Sequence, residues 1–256
     1  ANDNHTDYFW TADDTTYRKA FVAMLDHALA QADSTAALPA DQRAKFVCDG
    51  SLWVHEYAAA KPAEDFARLV ARLRDGSITM PLNTLVLLYG AMPAEAVLRN
   101  MYEAGRLERA LDLRFPLVLP MEDQTLPGGV GSLWAGAGAR YAWKGICNCA
   151  TRIDAGDRPR ELYRFQGKDG AAVLMKWNSY FNYASLGGYA EASDPGDAVR
   201  LMMHDPAYLG RWPWPVSGAF GYGGDTLATF TDAFVRAAQD LSSGDDRVIV
   251  SNEVDF

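Results

Sequence analysis

Phe115-Pro116-Leu117-Val118-Leu119-Pro120 is a short apolar run that ends directly before two acidic residues, Glu122 and Asp123. An apolar run of this length between prolines indicates a buried strand. The chain alternates such runs with stretches in which apolar residues recur at helical spacing. This alternation predicts an α/β protein built from βαβ units, with a mainly parallel sheet that is either doubly wound or closed into a barrel.

Strands and helices are predicted to follow one another along the whole chain. The helix predicted over residues 62–76 shows the pattern clearly, because Pro62 stands at its start and Gly76 at its end. The predicted strands are residues 45–48, 78–80, 117–119, 141–143, 173–177 and 247–251. The other predicted helices are residues 17–29, 93–105, 128–138, 195–204 and 225–241.

Composition limits the classes of partner. The 256 residues are 49% hydrophobic, which is enough for a sizeable core, and the net charge is -9. Because the chain is acidic and has no run of Lys or Arg, we expect it to bind neither nucleic acid nor an anionic membrane surface. No apolar run approaches the roughly 20 residues that a membrane-spanning helix needs. The abrupt ends of the sequence suggest that residues 1–256 are one domain of a longer multidomain chain.

Acidic residues that directly follow strands are the first candidates for chemistry. In both architectures the functional groups lie at the carboxyl ends of the strands, which is where Glu122 and Asp123 stand. Asp225 ends the glycine-rich segment 220–225, where a ligand could approach the backbone closely. A simpler interpretation makes Asp225 the N-cap of the helix predicted directly after it, and the two roles are compatible.

A further polar group stands at the start of the chain, in Asn4-His5-Thr6-Asp7-Tyr8-Phe9-Trp10. Residues two apart in an extended chain point to the same side, so His5 and Asp7 could bind a single cation. Trp10 adds a flat apolar face on which a pyranose ring could stack. The alternative is a surface turn in which His5 makes a structural hydrogen bond and Trp10 packs in the core.

In their order along the chain, these residues resemble a known family. The motifs that carry the resemblance are His5-x-Asp7-x-x-Trp10, Gly76, Ala94–Arg99, Asp123, Leu126-Pro127 and the small residues 135–138. Together they resemble the N-terminal catalytic domain of glycoside hydrolase family 38, the retaining α-mannosidases. The resemblance implies a seven-stranded (β/α) barrel-like catalytic domain, a carbohydrate substrate and one divalent metal, usually zinc.

The resemblance also implies roles for single residues. His5 and Asp7 would be metal ligands, and Asp123 would be both a metal ligand and the nucleophile. Asp225 is the best match for the general acid/base. A retaining glycosidase needs two carboxyl groups about 5 to 5.5 Å apart, one ionised and one protonated, which two aspartates in different surroundings could provide.

Two substrate-binding residues follow from the same comparison. Trp10 would stack on the sugar. Lys144 follows the next strand, roughly where the family places a basic residue near the nucleophile, so we expect it to orient Asp123; a plain surface lysine is the alternative. The aromatic and amide residues of segment 177–183 are a third candidate for contact with the sugar, with a core role as the alternative.

The sequence departs from the family in two respects. The family's fourth metal ligand is a His far downstream of the region represented here, and His204 is a possible substitute for it. The segment 122–129 lacks the aromatic residue and further Gly that commonly follow the nucleophile. Mannose specificity is therefore an expectation from the resemblance and not from any residue of this chain.

Two other functions fit parts of the pattern. A non-catalytic carbohydrate-binding relative would keep the fold and Trp10, although the presence of Asp123 and Asp225 argues against it. A polysaccharide deacetylase-like enzyme would also use His and Asp ligands, but it would need an additional His pair at helical spacing, which this sequence lacks.

Overall fold

The computed structural model describes residues 2–123, 125–145, 160–177, 191–223 and 226–256. In this part the helices are α1 (Asp14–Ser34), α2 (Ser51–Ala60), α3 (Ala63–Asp75), α4 (Ala94–Arg99), α5 (Tyr102–Leu111), α6 (Val130–Gly136), α7 (Pro195–His204), α8 (Pro206–Arg211) and α9 (Ala233–Leu241). The strands are β1 (Phe46–Val47), β2 (Ile78–Thr79), β3 (Leu117–Val118), β4 (Tyr141–Lys144), β5 (Leu162–Gln166) and β6 (Ala172–Trp177). The predicted α/β class is confirmed.

Helix boundaries follow local capping chemistry where the sequence signals were strong. The Asp13 side chain accepts a hydrogen bond from the Thr16 amide at 2.8 Å and so caps α1. Pro62 precedes α3, and Gly76 ends it with a φ of 77°, in the left-handed region that glycine adopts without a steric penalty. The helix predicted over residues 62–76 is therefore confirmed with its start and stop signals.

The described strands form two sheets. β1 and β2 pair in parallel, and the second sheet has the order β3-β4-β6-β5. Its β3/β4 and β4/β6 pairs are parallel, whereas β5 pairs antiparallel with β6. The pairing is thus mainly parallel, as predicted, but these ladders do not amount to a seven-stranded barrel within the described residues.

Hydrogen bonds outside the ladders connect the two sheets. The Leu82 amide donates to the Leu117 carbonyl at 2.8 Å, which places the chain after β2 beside β3. On the other side of the small sheet, the Val47 amide of β1 donates to the Asn2 carbonyl at 2.9 Å. The N-terminal segment, β1, β2 and β3 are consequently neighbours in that order.

Three sequence predictions are corrected where tertiary contacts replace regular structure. The helix predicted over 93–105 is divided at Asn100, whose side chain bonds the Thr84 amide and the Leu85 carbonyl. The helix predicted from residue 225 begins only at Ala233, because Thr226 and Thr229 contact Asn4 instead of continuing a helix.

The prediction of a strand over residues 247–251 is wrong, because these residues form no ladder with the described strands. Three elements of the structure were not predicted from the sequence: β5, α2 and α8.

The main core lies between α1, α2 and the strands. Phe21 of α1 stacks on Trp53 of α2, with ring centroids 4.7 Å apart, and Phe46 of β1 contacts the same indole. All three side chains are buried, and large aromatic rings of this kind dominate core energetics. Among the described residues, no helix combines the length and the apolar character that a membrane crossing would require.

Gly50 offers a test of how tightly the strand ends are packed. A Cβ at Gly50 would lie 2.2 Å from the Thr84 carbonyl oxygen, so Gly50→Ala is expected to force a backbone shift and to lower the free energy of unfolding by about 1–3 kcal/mol. Urea unfolding measures this change. Gly136→Ala is the matched control: nothing lies within 4 Å of its Cβ position at the end of α6, and alanine should be neutral or stabilising by up to about 1 kcal/mol. Equal effects of the two substitutions would contradict the packing argument.

Candidate active site

Parallel pairing brings three chain segments to one edge of the fold. Asp49 follows β1, and Glu122 follows β3. The N-terminal segment carrying His5 and Asp7 lies beside β1 through the bond between Val47 and Asn2. The carboxyl ends of parallel strands are where α/β proteins place their sites, so this edge is the candidate active site.

His5 is the centre of a three-residue cluster. Its Nε2 lies 3.3 Å from Asp7 Oδ1 and 3.5 Å from Glu122 Oε2, and the three potential ligand atoms all lie within 4.8 Å of one another. Tetrahedral ligands at about 2.1 Å from zinc are separated by about 3.4 Å, so these spacings suit a small divalent cation. One imidazole nitrogen and two carboxylate oxygens are also a donor set that zinc accepts.

The electrostatics of the cluster favour a positive charge. Burial alone would lower the pKa of His5, but its hydrogen bonds with Asp7 and Glu122 and the nearby charge of Asp49 raise that pKa to about 10. The position between the two carboxylates therefore stabilises a cation, which in the absence of metal is the imidazolium itself.

Glu122 reaches the cluster through an unusual backbone conformation. Its φ is 55°, in the left-handed region that residues other than glycine rarely adopt. The Glu122 amide donates to the Gly145 carbonyl at 2.7 Å, and the preceding Met121 places its sulfur 2.8 Å from His5 Nδ1. Such a conformation costs about 1–3 kcal/mol and tends to occur at functional sites, which agrees with a specific role for this turn.

Asp123 lies next to the cluster in sequence but points elsewhere. Its carboxylate is buried and accepts hydrogen bonds from the Tyr89 amide at 3.0 Å and from the Thr125 amide at 2.9 Å. The resemblance made Asp123 the third metal ligand, whereas the described structure brings Glu122 to His5 and Asp7. The assignment of Asp123 as ligand and nucleophile stays a prediction.

Trp10 and Lys144 occupy different environments near this edge. Trp10 is 72% exposed, and its amide donates to the Asp7 carbonyl at 2.9 Å, so its ring faces solvent beside the cluster and not the core. The neighbouring Phe9 is also exposed. Lys144 is buried at the end of β4, with its Nζ 5.5 Å from the centre of the Trp177 ring, so the interpretation as a surface lysine is wrong. Its effect on Asp123 stays a prediction.

The remaining candidates separate into described and undescribed residues. Asp225 lies outside the described residues, as does the segment 178–183. The helix that was predicted directly after Asp225 starts only at Ala233, after a non-helical stretch of described residues. His204 is exposed at the end of α7 and is not part of the cluster with His5.

Behind the cluster lie three buried carboxylates. Asp3 accepts a hydrogen bond from the Tyr222 amide through Oδ1, and Asp49 accepts one from the Thr6 amide through Oδ2. The second oxygen of each, and both oxygens of Glu253, are buried without a hydrogen-bond partner. Burial and mutual repulsion raise the pKa of Asp3 to about 8 and that of Glu253 to about 7. Three carboxyl groups are thus concentrated in the interior beside His5.

A second buried group contains a lysine. Lys176 on β6 lies 2.7 Å from Glu191 and 3.6 Å from Glu161, and the Phe220 amide also donates to Glu191. Burial raises the pKa of Glu191 to about 7 although Lys176 opposes the shift. Two buried carboxyl groups therefore share one ammonium at this place in the interior.

Two residues of the site were missed or undervalued by sequence reasoning. The sequence offered Glu122 only as one of two acidic residues after a strand, with no role of its own, and Asp49 was not among the candidates. Asp49 could have been found in the same way as Glu122 and Asp123, because it is an acidic residue that directly follows a predicted strand, residues 45–48. The choice between Glu122 and Asp123 had no sequence signal, because it depends on the turn conformation.

The fold and the site together define a class: a mixed α/β protein with an imidazole–carboxylate cluster at its strand ends. No protein-family model and no curated protein matches the chain. Among solved structures, an alpha-mannosidase from Enterococcus faecalis V583 is similar with a TM-score of 0.65 and 14% identity over 93% of this chain. A protein in the glycosyl hydrolase family 38 from Enterococcus faecalis is similar with a TM-score of 0.62 and 16% identity over 100% of this chain.

The likeness to these two structures is limited in coverage and in sequence identity. The chain spans about a quarter of each of those structures, since 26% of either one is covered. At 14% and 16% identity the likeness concerns the fold, and at that level it confirms the resemblance to glycoside hydrolase family 38.

The buried Glu253 predicts a pH dependence of stability. Its pKa rises from 4.5 to about 7 on folding, so its contribution is most favourable below about pH 4.5 and is lost as the pH rises through about 7. Glu253→Met, an apolar replacement of similar length, should therefore stabilise the chain relative to wild type more at pH 8 than at pH 5. Urea unfolding at both pH values, with a chelator present, measures the difference.

The control for this experiment is Glu64→Met, which removes an exposed carboxylate from the start of α3. It should change stability by similar small amounts at both pH values. A Glu253→Met effect that is equal at pH 5 and pH 8 would show that Glu253 titrates alike in the folded and unfolded chains.

Proposed function

We propose that this chain is the catalytic domain of a metal-dependent glycoside hydrolase that acts on α-mannosides or a related α-linked sugar. The observation that carries the proposal is the cluster of His5, Asp7 and Glu122 at the strand ends of a fold shared with an α-mannosidase from Enterococcus faecalis. The sugar is proposed from that likeness together with the His-x-Asp-x-x-Trp motif. Retention of configuration by double displacement is part of the same proposal.

We also propose that residues 1–256 form one barrel-like domain of a longer chain. The support lies in the bonds that extend the sheets: Asn2 lies beside β1, and Leu82 beside Leu117 links the two sheets. At the other side of the N-terminal segment, the Tyr222 amide donates to Asp3. Neighbours on both sides of the N-terminal segment are what a closed succession of strands requires.

The proposed cofactor is one divalent cation, zinc, held by His5, Asp7 and a carboxylate of the turn that contains Glu122 and Asp123. The observed spacings and donor types fit such an ion, and the acidic interior favours a cation at this position. When bound, the ion would orient sugar hydroxyls and offset negative charge close to the reacting ring.

The chemical steps need two carboxyl groups with separate tasks. One carboxylate bonds to the anomeric carbon while an acid protonates the departing oxygen, and the same acid residue then takes a proton from the water that cleaves the intermediate. Asp123 is the proposed nucleophile and Asp225 the proposed acid/base. Glu122 is a second candidate for the nucleophile, because it lies in the cluster and is partly exposed, whereas Asp123 is buried and hydrogen-bonded.

Substrate binding is proposed to use the exposed aromatic residue beside the cluster. The Trp10 ring faces solvent and is attached through its amide to the Asp7 carbonyl, so its position is tied to a proposed ligand. A sugar stacked on this indole would have its hydroxyls near the cluster. Lys144 is proposed to influence Asp123 electrostatically from the end of β4.

A second candidate function is carbohydrate binding without turnover. The specific observation in its favour is the position of Asp123, whose carboxylate is engaged with Tyr89 and Thr125 instead of facing the cluster. Release of the aryl group from an aryl α-mannoside, measured with zinc present, separates the two functions. Binding of the glycoside without release would support the non-catalytic function and reject the hydrolase.

Two isosteric substitutions identify the third ligand. Because Glu122 lies beside His5 and Asp123 does not, Glu122→Gln is expected to weaken zinc binding at least about tenfold, and Asp123→Asn by no more than about threefold. Competition with a chromophoric chelator measures both affinities. The exposed Glu95→Gln on α4 serves as the control and should leave the affinity unchanged. The reverse order of effects would make Asp123 the ligand, and no effect of either would exclude this turn from the metal site.

The role of Asp225 is tested by the dependence on the leaving group. Asp225→Ala should slow hydrolysis of alkyl glycosides by about 10²–10⁴-fold, because protonation of the departing alkoxide is lost, while zinc stays bound. An aryl glycoside with a weakly basic phenolate should lose less in the first step, and azide should accelerate the second step by replacing water. Wild-type rates on both substrates would assign the acid role to another residue.

A further inference from the structure

The residue that joins the two proposed metal ligands is held by a side chain that follows β1. Thr6 stands between His5 and Asp7, and its amide donates a hydrogen bond to Asp49 Oδ2 at 2.8 Å. A peptide unit is planar, so fixing the direction of the Thr6 N–H fixes the plane that runs from the His5 Cα to the Thr6 Cα. The Asp49 carboxylate therefore acts directly on the backbone that carries His5, and through Thr6 on the start of the next peptide, which leads to Asp7.

Asp49 itself is held on a rigid part of the fold. The preceding Cys48 amide donates to the Thr79 carbonyl of β2 at 2.8 Å, and the Ser51 amide donates to the Asn83 carbonyl at 3.0 Å. Gly50 packs so closely on Thr84 that no Cβ fits there. Because the chain is fixed on both sides, the Asp49 carboxylate can serve as a reference point for the N-terminal segment that carries His5 and Asp7.

The burial of Asp49 makes a purely structural role unfavourable. Its Oδ1 is buried and has no hydrogen-bond partner among the described residues, and burial raises the pKa of the carboxyl well above its usual range. An unsatisfied buried polar atom costs about 1–3 kcal/mol, which an apolar side chain of the same shape would avoid. The presence of a carboxylate at this position is explained by the hydrogen bond that it accepts from the Thr6 amide, beside His5.

We propose that Asp49 is a positioning residue that holds the Thr6 amide and thereby sets the arrangement of His5 and Asp7 for binding a divalent cation. The inference rests on the metal site of the proposed function. Asp49 is not among the ligand atoms of the cluster, so it acts through the backbone and not by coordination. Partners of this kind typically contribute about 10- to 100-fold to metal affinity.

The decisive comparison is between Asp49→Leu and Asp49→Asn. Leucine keeps the approximate volume but removes both acceptors, whereas asparagine keeps one oxygen for the Thr6 amide. Asp49→Leu is expected to weaken zinc binding by about 10- to 100-fold, and Asp49→Asn by no more than about threefold. Chelator competition measures the affinities, and the absorption spectrum of the cobalt-substituted protein reports whether the ligand arrangement changes with them.

A matched control separates positioning from general stability. Glu108 on α5 is another carboxylate that accepts a hydrogen bond from a backbone amide, that of Phe115 at 2.8 Å, but it lies at the start of β3 and away from the chain that holds Asp49. Glu108→Leu should lower the free energy of unfolding and leave zinc affinity and the cobalt spectrum unchanged. Urea unfolding without metal shows whether each variant is folded before its affinity is compared.

Each outcome decides the inference. Wild-type affinity in Asp49→Leu would overturn it, and so would an equal loss in Asp49→Leu and Asp49→Asn, because then the carboxylate charge and not the hydrogen bond would matter. If Asp49→Leu does not fold, Asp49→Asn still decides: an altered cobalt spectrum contradicts positioning through the Thr6 amide, and a preserved one supports it. A wild-type chain that binds neither zinc nor cobalt would reject the proposed metal site itself.

Discussion

Parallel strand pairing is the constraint on which the rest of this structure depends. The pairs β1/β2 and β3/β4, joined through Leu82 and Leu117, align the carboxyl ends of successive strands at one edge. The N-terminal segment adds to this edge through Asn2 and β1. Polar groups far apart in sequence, at positions 5, 49 and 122, are neighbours because the chain direction is the same in each segment.

The concentration of buried carboxyl groups follows from that alignment. Asp3, Asp49 and Glu253 lie close enough to raise one another's pKa, and each has a carboxylate oxygen without a hydrogen-bond partner. Desolvated carboxylates are costly unless a proton or a cation neutralises them. The surroundings of His5 therefore favour a positive charge, which is the physical basis for proposing that a divalent cation binds there.

The turn after β3 illustrates how a single backbone angle changes chemical meaning. Glu122 has a φ of 55°, and its side chain faces His5. The carboxylate of the next residue, Asp123, accepts hydrogen bonds from the amides of Tyr89 and Thr125. Adjacent acids in a regular strand would also point to opposite sides, but which one faces the site depends on the register. The identity of the carboxylate in the cluster is thus a property of the turn and not of the residue type.

The sequence by itself determined the elements whose signals are local. Pro62, Gly76 and the apolar period between them specify α3, and the apolar runs before Asp49 and Glu122 specify β1 and β3. It also determined that His5 and Asp7 could act together, since their spacing of two is enough. These features depend on neighbouring residues only, which is why periodicity and capping rules detect them.

Tertiary structure alone decided the features that depend on distant contacts. Asn100 divides a predicted helix because it bonds Thr84 and Leu85, and the start of α9 is delayed because Thr229 bonds Asn4. The same holds for Asp49, whose bond to Thr6 spans 43 positions of sequence. Hydrogen bonds across such separations form only once the strands have been brought together, so no local pattern in the sequence could have specified them.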